Sequence, residues 1–405
     1  MSTLCDRTYN DVIIDLPNRE VQWCCKTHLQ DHEKNMVKFT KDNLDYDFLF
    51  NHPLLKQRQE ALENDIQHPH CKECWISEQK TDGKHSFRKM NRPKNNKRKF
   101  SFIEVSVTHT CNMMCKYCGP EYSTKWQSLV GKKLPDTDQE LLEKVCGLIN
   151  EYYDRELSDV PKIIFNMMGG EPIMSKNTDY FIETVIDHVS KNKHFPEQEI
   201  HIMFTTNYNF DKTLLERYME YTRQYDNIGF IFHISNESVS ARAEFIRTNL
   251  DYEKWINNVE YTFECSQNYN NVKIAFGCAH NSFTFPYFKE FLVELNRVAK
   301  KANFKKHVVF IENVIKYPHF LDVSLLDKNF VLPINDMIEY YENMDLIVLN
   351  HDAYLNFLKS LRDEVENKND LERDMVIKTY SDNTKLFDYS NALIAAPHID
   401  NILGL

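Results

Sequence analysis

From residue 100 onward, short runs of β-branched and apolar residues alternate with longer segments whose apolar residues recur at helical spacing. The short runs predict strands, and the longer segments predict helices. The predicted strands lie near 101–107, 162–168, 199–205, 228–235, 272–278 and 307–315, and the helices between them near 137–156, 177–191, 211–225, 251–268 and 285–302. Six strands separated by helices imply βα units, a mainly parallel sheet and an α/β fold class.

The ends of these segments add further predictions. Asp136 and Asp211 precede two of the helices, and we expect them to act as N-caps, because a carboxylate accepts hydrogen bonds from the free N–H groups of the first turn. Beyond the last strand, two more helices are predicted near 334–345 and 351–372. The predicted regions are an N-terminal cysteine-bearing region, a basic linker, an α/β region and a helical C-terminal region, at 1–83, 84–99, 100–317 and 318–405.

Composition narrows the function classes. The chain has 405 residues and a net charge of −11, which argues against general coating of nucleic acid. Its 9 glycines are few against a usual share of about 7%, and neither GxGxxG nor GxxxxGK[ST] can be drawn through them. No run of about 18 apolar residues predicts a membrane span, and the first residues lack a signal-peptide pattern. We therefore expect a cytoplasmic protein with no membrane partner.

The predicted linker at 84–99 carries eight Lys or Arg residues and no acidic residue. A solvated linker is the simpler interpretation of this segment, and a strip that binds phosphate or acidic groups is the alternative. Nucleic acid is therefore a partner that the sequence allows but does not favour.

Three cysteines follow the first predicted strand within eight residues: Cys111, Cys115 and Cys118. In a reducing compartment such cysteines are not expected to form disulfides, so their clustering points to metal binding or catalysis. The next cysteine, Cys146, lies in a predicted helix, so the loop has no local fourth thiolate. An iron–sulfur cluster with one open iron suits three thiolates. A zinc site completed by a remote ligand such as His109 is the alternative.

The CxxxCxxC pattern with Tyr117 before its third cysteine, placed after the first strand of a βα series, resembles the radical S-adenosylmethionine (SAM) superfamily. The resemblance implies that the three cysteines hold a 4Fe–4S cluster whose open iron binds SAM. It also implies that an electron from the cluster cleaves SAM to a 5′-deoxyadenosyl radical. The implied fold is a partial (β/α)6 TIM-like barrel, with its active site at the C-terminal ends of the strands.

Motifs at the ends of later strands are also similar to those of the superfamily. Gly169-Gly170-Glu171-Pro172 is similar to the GGEP motif, in which glycines let the backbone approach a ligand and the glutamate accepts from an ammonium group. Thr205-Thr206-Asn207 is similar to the TNG motif, with Tyr208 in place of the glycine. Ser235 and Arg247 match positions that handle the ribose and carboxylate of SAM, although Asn236-Glu237-Ser238 departs from the usual LDG. The SAM-binding residues implied by the resemblance are Tyr117, Gly169, Gly170, Glu171, Thr206, Asn207, Ser235 and Arg247.

Five cysteines lie upstream of the basic linker: Cys5, Cys24, Cys25, Cys71 and Cys74. Cys71 and Cys74 form a CxxC pair, and Cys5 and Cys24 complete a four-cysteine set in which Cys25 can replace Cys24. We interpret this set as a second, auxiliary iron–sulfur cluster, with a structural zinc ion or no metal as the alternatives. The surrounding segment shows little helix or strand regularity, so metal ligation is expected to supply folding free energy there.

The stretches 242–258 and 70–75 resemble a subgroup of radical SAM proteins with twitch or SPASM domains. Some relatives in that subgroup modify peptides. The main hypothesis is therefore a radical SAM enzyme that acts on a peptide or a small molecule and takes electrons from a donor such as flavodoxin or ferredoxin. One alternative is a scaffold that holds the cluster and SAM without turnover. The other is a zinc-stabilised protein that binds RNA through the basic linker.

Overall fold

The computed structural model describes residues 4–25, 37–80 and 99–367. All of the predicted linker except Lys99, and the last five residues of the helix predicted at 351–372, lie outside this range. The chain forms two compact units. Unit 1 comprises Met1–Thr110, Leu134–Phe204 and Tyr225–Gly229, and unit 2 comprises Cys111–Lys133, Thr205–Gln224 and Phe230–Leu405.

The strands of the described residues are numbered in chain order. They are β1 (Asp11–Asp15), β2 (Glu20–Gln22), β3 (Val37–Lys38), β4 (Phe102–Ser106), β5 (Met114–Cys115), β6 (Lys162–Met168), β7 (Glu199–Thr206), β8 (Ile228–Ser235), β9 (Arg247–Thr248), β10 (Val272–His280), β11 (His307–Val314) and β12 (Ile347–Val348).

The α-helices of the described residues are numbered in the same way. They are α1 (Arg7–Asn10), α2 (Tyr46–Phe50), α3 (Pro53–Glu63), α4 (Lys72–Lys80), α5 (Thr124–Leu129), α6 (Gln139–Tyr152), α7 (Lys176–Val189), α8 (Thr213–Gln224), α9 (Ser240–Ile246), α10 (Tyr252–Asn268), α11 (Phe288–Lys301), α12 (Val331–Asn343) and α13 (His351–Glu366).

In unit 1 the strands lie in the order β7-β6-β4-β1-β2-β3. The pairs β7–β6, β6–β4 and β4–β1 are parallel, and the short β2 and β3 extend the edge as antiparallel strands. Successive residues of a strand point to opposite faces of the sheet. Phe165 of β6 is fully buried and contacts Phe181 of α7, so Asn166 points to the face away from that helix.

In unit 2 the strands lie in the order β8-β10-β11-β12, and every pair is parallel. A separate antiparallel pair, β5 with β9, places Cys115 opposite Arg247. Helices α10, α11, α12 and α13 contribute fully buried apolar and aromatic side chains to the core of this unit, among them Trp255, Phe291, Tyr341 and Tyr354.

The expected α/β class with a mainly parallel sheet is confirmed, and it is consistent with a partial (β/α)6 barrel. All six predicted strands and the predicted helices are present near their expected bounds. One N-cap prediction is wrong: Asp138, not Asp136, caps α6 by accepting from the N–H of Leu141. The carboxylate of Asp136 instead accepts from the hydroxyl of Thr108 and the N–H of His109. Asp211 does accept from the first N–H of α8, at Thr213.

The expectation of little regular structure in the N-terminal region is also wrong. The described part of that region contains three strands and four helices, and β1 joins the parallel sheet beside β4. The first four residues of β1 are all buried. A strand that is buried on both faces does not alternate polar and apolar residues, so the sequence carried no alternating pattern from which β1 could be predicted. Across the described residues, none of the helices has both the length and the apolar character needed to span a bilayer.

Candidate cofactor and metal sites

The three-cysteine loop belongs to unit 2 and is held by contacts to its backbone. The N–H of Cys111 donates to Thr124 Oγ1 at 3.3 Å, and Trp126 Nε1 donates to the carbonyl oxygen of Cys115 at 3.1 Å. Both partners lie on the short helix α5, whose N-terminus is capped by the side chain of Ser123. These contacts engage the backbone of the loop and fix its path.

The three thiols are partly exposed and electrostatically close to one another. Burial, together with the neighbouring sulfurs of Cys115 and Cys111, raises the pKa of Cys118 to about 12. Within the described ranges, no group of three or more His, Cys, Asp or Glu side chains is arranged so that it could hold a single metal ion. Three neighbouring thiols with no fourth in the loop are the donor set that a 4Fe–4S cluster with one open iron requires. The residues present therefore suit that cluster.

Two of the predicted SAM-binding residues contact the sulfurs of this loop. Asn207 Nδ2 lies 3.7 Å from Cys111 Sγ and also donates to Asn112 Oδ1 at 2.8 Å. Arg247 Nη1 lies 4.0 Å from Cys115 Sγ. The structure thus brings Asn207 and Arg247 to the cysteine loop, although each lies about 100 residues or more after it in the chain.

Arg247 forms a buried ion pair that the sequence analysis did not predict. Its Nε and Nη2 atoms donate to Glu237 Oε2 at 3.2 and 2.7 Å, and Tyr117 donates its hydroxyl to Glu237 Oε1 at 3.3 Å. The guanidinium carbon also lies 5.4 Å from the centre of the Tyr117 ring. Burial raises the pKa of the Glu237 carboxyl, and the Arg247 charge opposes that rise. In the sequence, Glu237 stood out only because Asn236-Glu237-Ser238 departs from the LDG motif that is usual in the superfamily.

Tyr208 has the backbone conformation that a glycine would favour. Its φ is +60°, in the left-handed region, where a residue with a side chain is strained by about 1–3 kcal/mol. The side chain is fully buried, donates or accepts a 2.5 Å hydrogen bond with Thr262 and packs edge-on against Phe210 and Phe232. Thr206 accepts the N–H of Tyr208 through its hydroxyl. The loop therefore retains the glycine conformation without the glycine.

Ser235 is the last residue of β8 and is partly exposed opposite Gly277 of β10. His233 lies two residues earlier on the same face and hydrogen-bonds through Nδ1 to the hydroxyl of Thr205. A Cβ atom on Gly277 would overlap the His233 ring, so this glycine makes room for the imidazole. Burial, with the charge of Arg247, lowers the pKa of His233 to about 4. The ring is therefore neutral near pH 7.

The glycine-rich motif lies in unit 1, in the turn that follows β6. Gly169 has φ +118°, and the N–H groups of Gly170 and Glu171 donate to the carbonyl oxygens of Thr108 and Thr110 at 2.9 and 2.7 Å. Glu171 is fully buried, and its Oε1 accepts from the N–H of Ile173 at 3.2 Å. The motif is thus a tight turn laid against the chain that leaves β4.

We expect Gly170→Ala to destabilise the protein by about 1–3 kcal/mol, because a new Cβ would overlap the carbonyl oxygens of Thr110 and His109. The measurement is the free energy of unfolding from urea denaturation. The matched control is Gly147→Ala in α6, where a Cβ would meet no atom within 4 Å. Since alanine is the better helix former, that change should stabilise by about 0.5–1 kcal/mol. Equal effects of the two variants would contradict the close approach at Gly170.

Unit 1 also contains the five N-terminal cysteines. Burial raises the pKa of Cys71 to about 12, and Cys24, Cys5 and Cys74 act on it electrostatically, so the four predicted ligands lie near one another. Cys5 packs with Leu62 and Trp75 in a small core that Cys71 adjoins.

Arg58 adds a buried cation beside these thiols. Its side chain is 3% exposed, its Nη2 donates to the carbonyl oxygen of Trp23, and its Nε has no partner among the described residues. Its charge acts on both Cys5 and Cys71, lowering their pKa against the effect of burial. A buried cation that faces several thiols suits a site where those thiols are deprotonated by a metal.

The structure distinguishes the two adjacent cysteines of this region. The Cys24 thiol acts electrostatically on Cys5 and Cys71, whereas the Cys25 thiol interacts with Cys24 itself and with Arg7, whose Nη1 lies 3.7 Å from its sulfur. Cys24 is therefore better placed than Cys25 to join the other three. None of the eleven cysteines, all of which lie in the described part of the chain, forms a disulfide. Of the three outside both groups, Cys146 and Cys278 are buried and Cys265 is half-buried.

A polar pair on the sheet of unit 1 was not singled out from the sequence. Asn166 of β6 donates to Glu104 Oε2 of β4 at 2.7 Å, on the face away from α7. Burial raises the pKa of Glu104 to about 7. The two residues lie 62 positions apart in the chain and meet because β4 and β6 are neighbouring strands in which Glu104 pairs with Asn166.

Comparison with known proteins gives a family match for the central part of the chain. Residues 105–277 match the model of the Radical SAM superfamily. The matched range contains the three-cysteine loop, the glycine-rich turn, Asn207, Glu237 and Arg247.

Individual relatives match over different lengths. The radical SAM cyclopropyl synthase TigE from Paramaledivibacter caminithermalis is 27% identical over 284 residues, which cover 68% of this chain and 54% of that protein. A GTP 3′,8-cyclase from Aliarcobacter butzleri is 29% identical over 110 residues, 27% of this chain and 28% of that protein. A GTP 3′,8-cyclase from Sulfurimonas denitrificans is 33% identical over 87 residues, 22% of this chain and 23% of that protein. This chain thus spans about half or less of the length of these relatives.

Proposed function

We propose that this chain, whose residues 105–277 match the Radical SAM superfamily, is a member of that superfamily and that Cys111, Cys115 and Cys118 hold its 4Fe–4S cluster. The match and the relatives named as enzymes support an enzyme whose cofactors are that cluster and SAM. When bound, the two cofactors together supply a 5′-deoxyadenosyl radical that abstracts a hydrogen atom from the substrate. The observation that carries the assignment of the ligands is the mutual closeness of the three thiols in a loop fixed by α5.

The protein's own residues orient and shield this centre. Trp126 and Thr124 hold the loop backbone, and Asn207 and Arg247 direct N–H donors at the ligand sulfurs of Cys111 and Cys115. Donors of this kind stabilise the negative charge on thiolates. Anaerobic reconstitution with iron and sulfide tests the assignment. About four irons per chain at this site are expected, with the broad visible absorption of a cluster.

The SAM contacts are proposed from the superfamily motifs. In unit 1, Gly169 and Gly170 allow close approach of the backbone, and Glu171 is a buried acceptor for an ammonium group. In unit 2, the proposed contacts are Tyr117, Thr206, Asn207, Ser235 and Arg247. Arg247 would supply the positive charge for the SAM carboxylate, and Glu237 holds its guanidinium through Nε and Nη2.

The N-terminal cysteines are proposed to hold a second iron–sulfur cluster through Cys5, Cys24, Cys71 and Cys74. The support is their mutual closeness and the buried charge of Arg58. Four thiolate ligands leave no iron open, which favours relay of electrons over binding of substrate. A structural zinc ion is the alternative, since the same four thiolates would suit it.

We expect the variant that lacks Cys111, Cys115 and Cys118 to retain metal at the N-terminal site. Residual iron with sulfide supports the auxiliary cluster, and one zinc per chain supports the structural site. In that background, Cys24→Ala should lose the residual metal and Cys25→Ala should keep it, because Cys25 is turned toward Arg7. Metal analysis by mass spectrometry and a sulfide assay measure both. No metal in the starting variant would contradict both forms of the site.

The substrate is proposed to be a peptide, on the resemblance to the twitch and SPASM subgroup, with a small molecule as the other class. The printed names of the relatives, cyclopropyl synthase and GTP 3′,8-cyclase, both denote formation of a ring. We therefore favour a ring-forming reaction after hydrogen abstraction. The electron donor is proposed to be a low-potential protein of the flavodoxin or ferredoxin kind. Formation of 5′-deoxyadenosine that rises when candidate peptides are added would test the substrate class.

A further inference from the structure

A buried ion pair lies beside the cysteine loop of unit 2 and is not accounted for by the SAM contact proposed for Arg247. Glu237 is 0% exposed and Arg247 is 4% exposed. Two nitrogens of the guanidinium, Nε and Nη2, donate to one carboxylate oxygen of Glu237. A buried pair must offset a large desolvation cost, so stability alone is a weak explanation for it.

The pair is held in a single orientation. Tyr117 donates to the second carboxylate oxygen of Glu237, and the N–H of Ala279 in β10 also donates to that carboxylate. The antiparallel pairing of β5 with β9 sets Arg247 opposite Cys115. With Nε and Nη2 occupied by Glu237, the third nitrogen, Nη1, faces Cys115 Sγ at 4.0 Å.

We propose that Glu237 and Arg247 tune the reduction potential of the cluster through Cys115. Arg247 does so by directing a charged N–H donor at the ligand sulfur, and Glu237 is a positioning residue that fixes the guanidinium and offsets its charge. The inference rests on the proposed function, since it requires the cluster on this loop. The step concerned is the uptake of one electron by the oxidised cluster from a one-electron donor, and no bond of the protein is made or broken.

The physical basis is the extra negative charge of the reduced cluster. A donor or a positive charge near a ligand sulfur stabilises the reduced form and raises the potential, whereas removal of that donor lowers it. Glu237→Gln keeps an oxygen for Arg247 but removes the opposing negative charge, so the potential should rise. Arg247→Gln removes the charged donor, so the potential should fall. A role confined to packing would not shift the two variants in opposite directions.

The test is a potentiometric titration of the anaerobically reconstituted full chain with dithionite, followed by electron paramagnetic resonance, in the absence of SAM. Iron and sulfide are counted for each variant. The matched control is Arg242→Gln, which removes the arginine of a partly exposed pair with Glu290 at 2.7 Å, five residues before Arg247. Its potential should equal that of the unmodified protein.

Opposite shifts of the Glu237 and Arg247 variants at unchanged iron content would support the inference. If Arg247→Gln fails to fold or loses its cluster, the Glu237→Gln variant alone tests the inference. A reduction potential of that variant at or below the potential of the unmodified protein then overturns it. Unshifted potentials in both variants, with clusters present, overturn it and leave the proposed function standing. An unmodified protein whose loop binds no iron overturns the proposed function and this inference together.

Discussion

Replacement of Cys111, Cys115 and Cys118 by alanine together is expected to remove about four irons per chain and all cleavage of SAM. The reason is that the loop supplies three neighbouring thiols and the described chain offers no other thiol beside them that could take their place. Any iron held by the N-terminal cysteines should remain. Iron content and 5′-deoxyadenosine formation, both measured under anaerobic conditions, check the result.

Cys265→Ala serves as the control for this variant. Cys265 is half-buried on α10, outside both cysteine groups, and its replacement should leave the iron content and SAM cleavage unchanged. Circular dichroism should show the same helix content in both variants, since the loop contributes only the two residues of β5 to regular structure. Unaltered iron content in the triple variant would mean that the loop is not the cluster site.

Glu171→Ala is expected to keep the cluster but to weaken SAM binding about 10–100-fold. The side chain is fully buried in unit 1, and its loss removes a charge-assisted acceptor worth about 1.5–3 kcal/mol for an ammonium group. Anaerobic titration of the reconstituted protein with SAM measures the dissociation constant. The iron content, counted in the same samples, separates loss of SAM affinity from loss of the cluster.

Two further variants show whether the effect comes from the charge. Glu171→Gln keeps an acceptor for the N–H of Ile173 but removes the negative charge, so it should lose most of the affinity without loosening the turn. Glu197→Ala removes an exposed carboxylate elsewhere in unit 1 and should have no effect. Full SAM affinity in the Glu171→Gln variant would show that the carboxylate charge does not bind the ammonium group.

The strands and helices after residue 100 could be predicted because each obeys a local rule. A strand such as Phe230–Ile234 is apolar at nearly every position, and a helix such as α11 repeats its apolar residues with helical period. The N-cap at Asp136 could not be decided locally, since Asp138 offers the same carboxylate two residues later. The choice depends on Thr108 and His109, which lie about 27 residues earlier in the chain and donate hydrogen bonds to the carboxylate of Asp136.

Some residues of the candidate site could likewise be predicted from local sequence, and others could not. The cysteine loop is a local pattern, so its residues and their likeness to a superfamily were visible in the sequence. The role of Glu237 was not, because its partners Tyr117 and Arg247 come from elsewhere in the chain and are brought together by folding. The consequence of Tyr208 in place of a glycine was equally hidden, since only the structure shows its positive φ beside a buried side chain.

Among the function hypotheses, the family match and the relatives named as enzymes support catalysis, and neither supports a zinc-stabilised RNA-binding protein. The subgroup with twitch or SPASM domains, the domain bounds and the auxiliary cluster stay predictions. The N-terminal strands add one physical point: because β1 pairs with β4 inside one sheet, the cysteines of that region belong to the same folded unit as the glycine-rich turn.

The most direct test of the account is the reductive cleavage of SAM by the full chain. The protein is purified and reconstituted anaerobically, reduced with dithionite and incubated with SAM, and the products are separated by liquid chromatography and identified by mass spectrometry. The account predicts 5′-deoxyadenosine and methionine in equal amounts, dependent on reductant and absent from the variant that lacks Cys111, Cys115 and Cys118. A protein that carries its full complement of iron and sulfide, binds SAM and still forms no 5′-deoxyadenosine would contradict it.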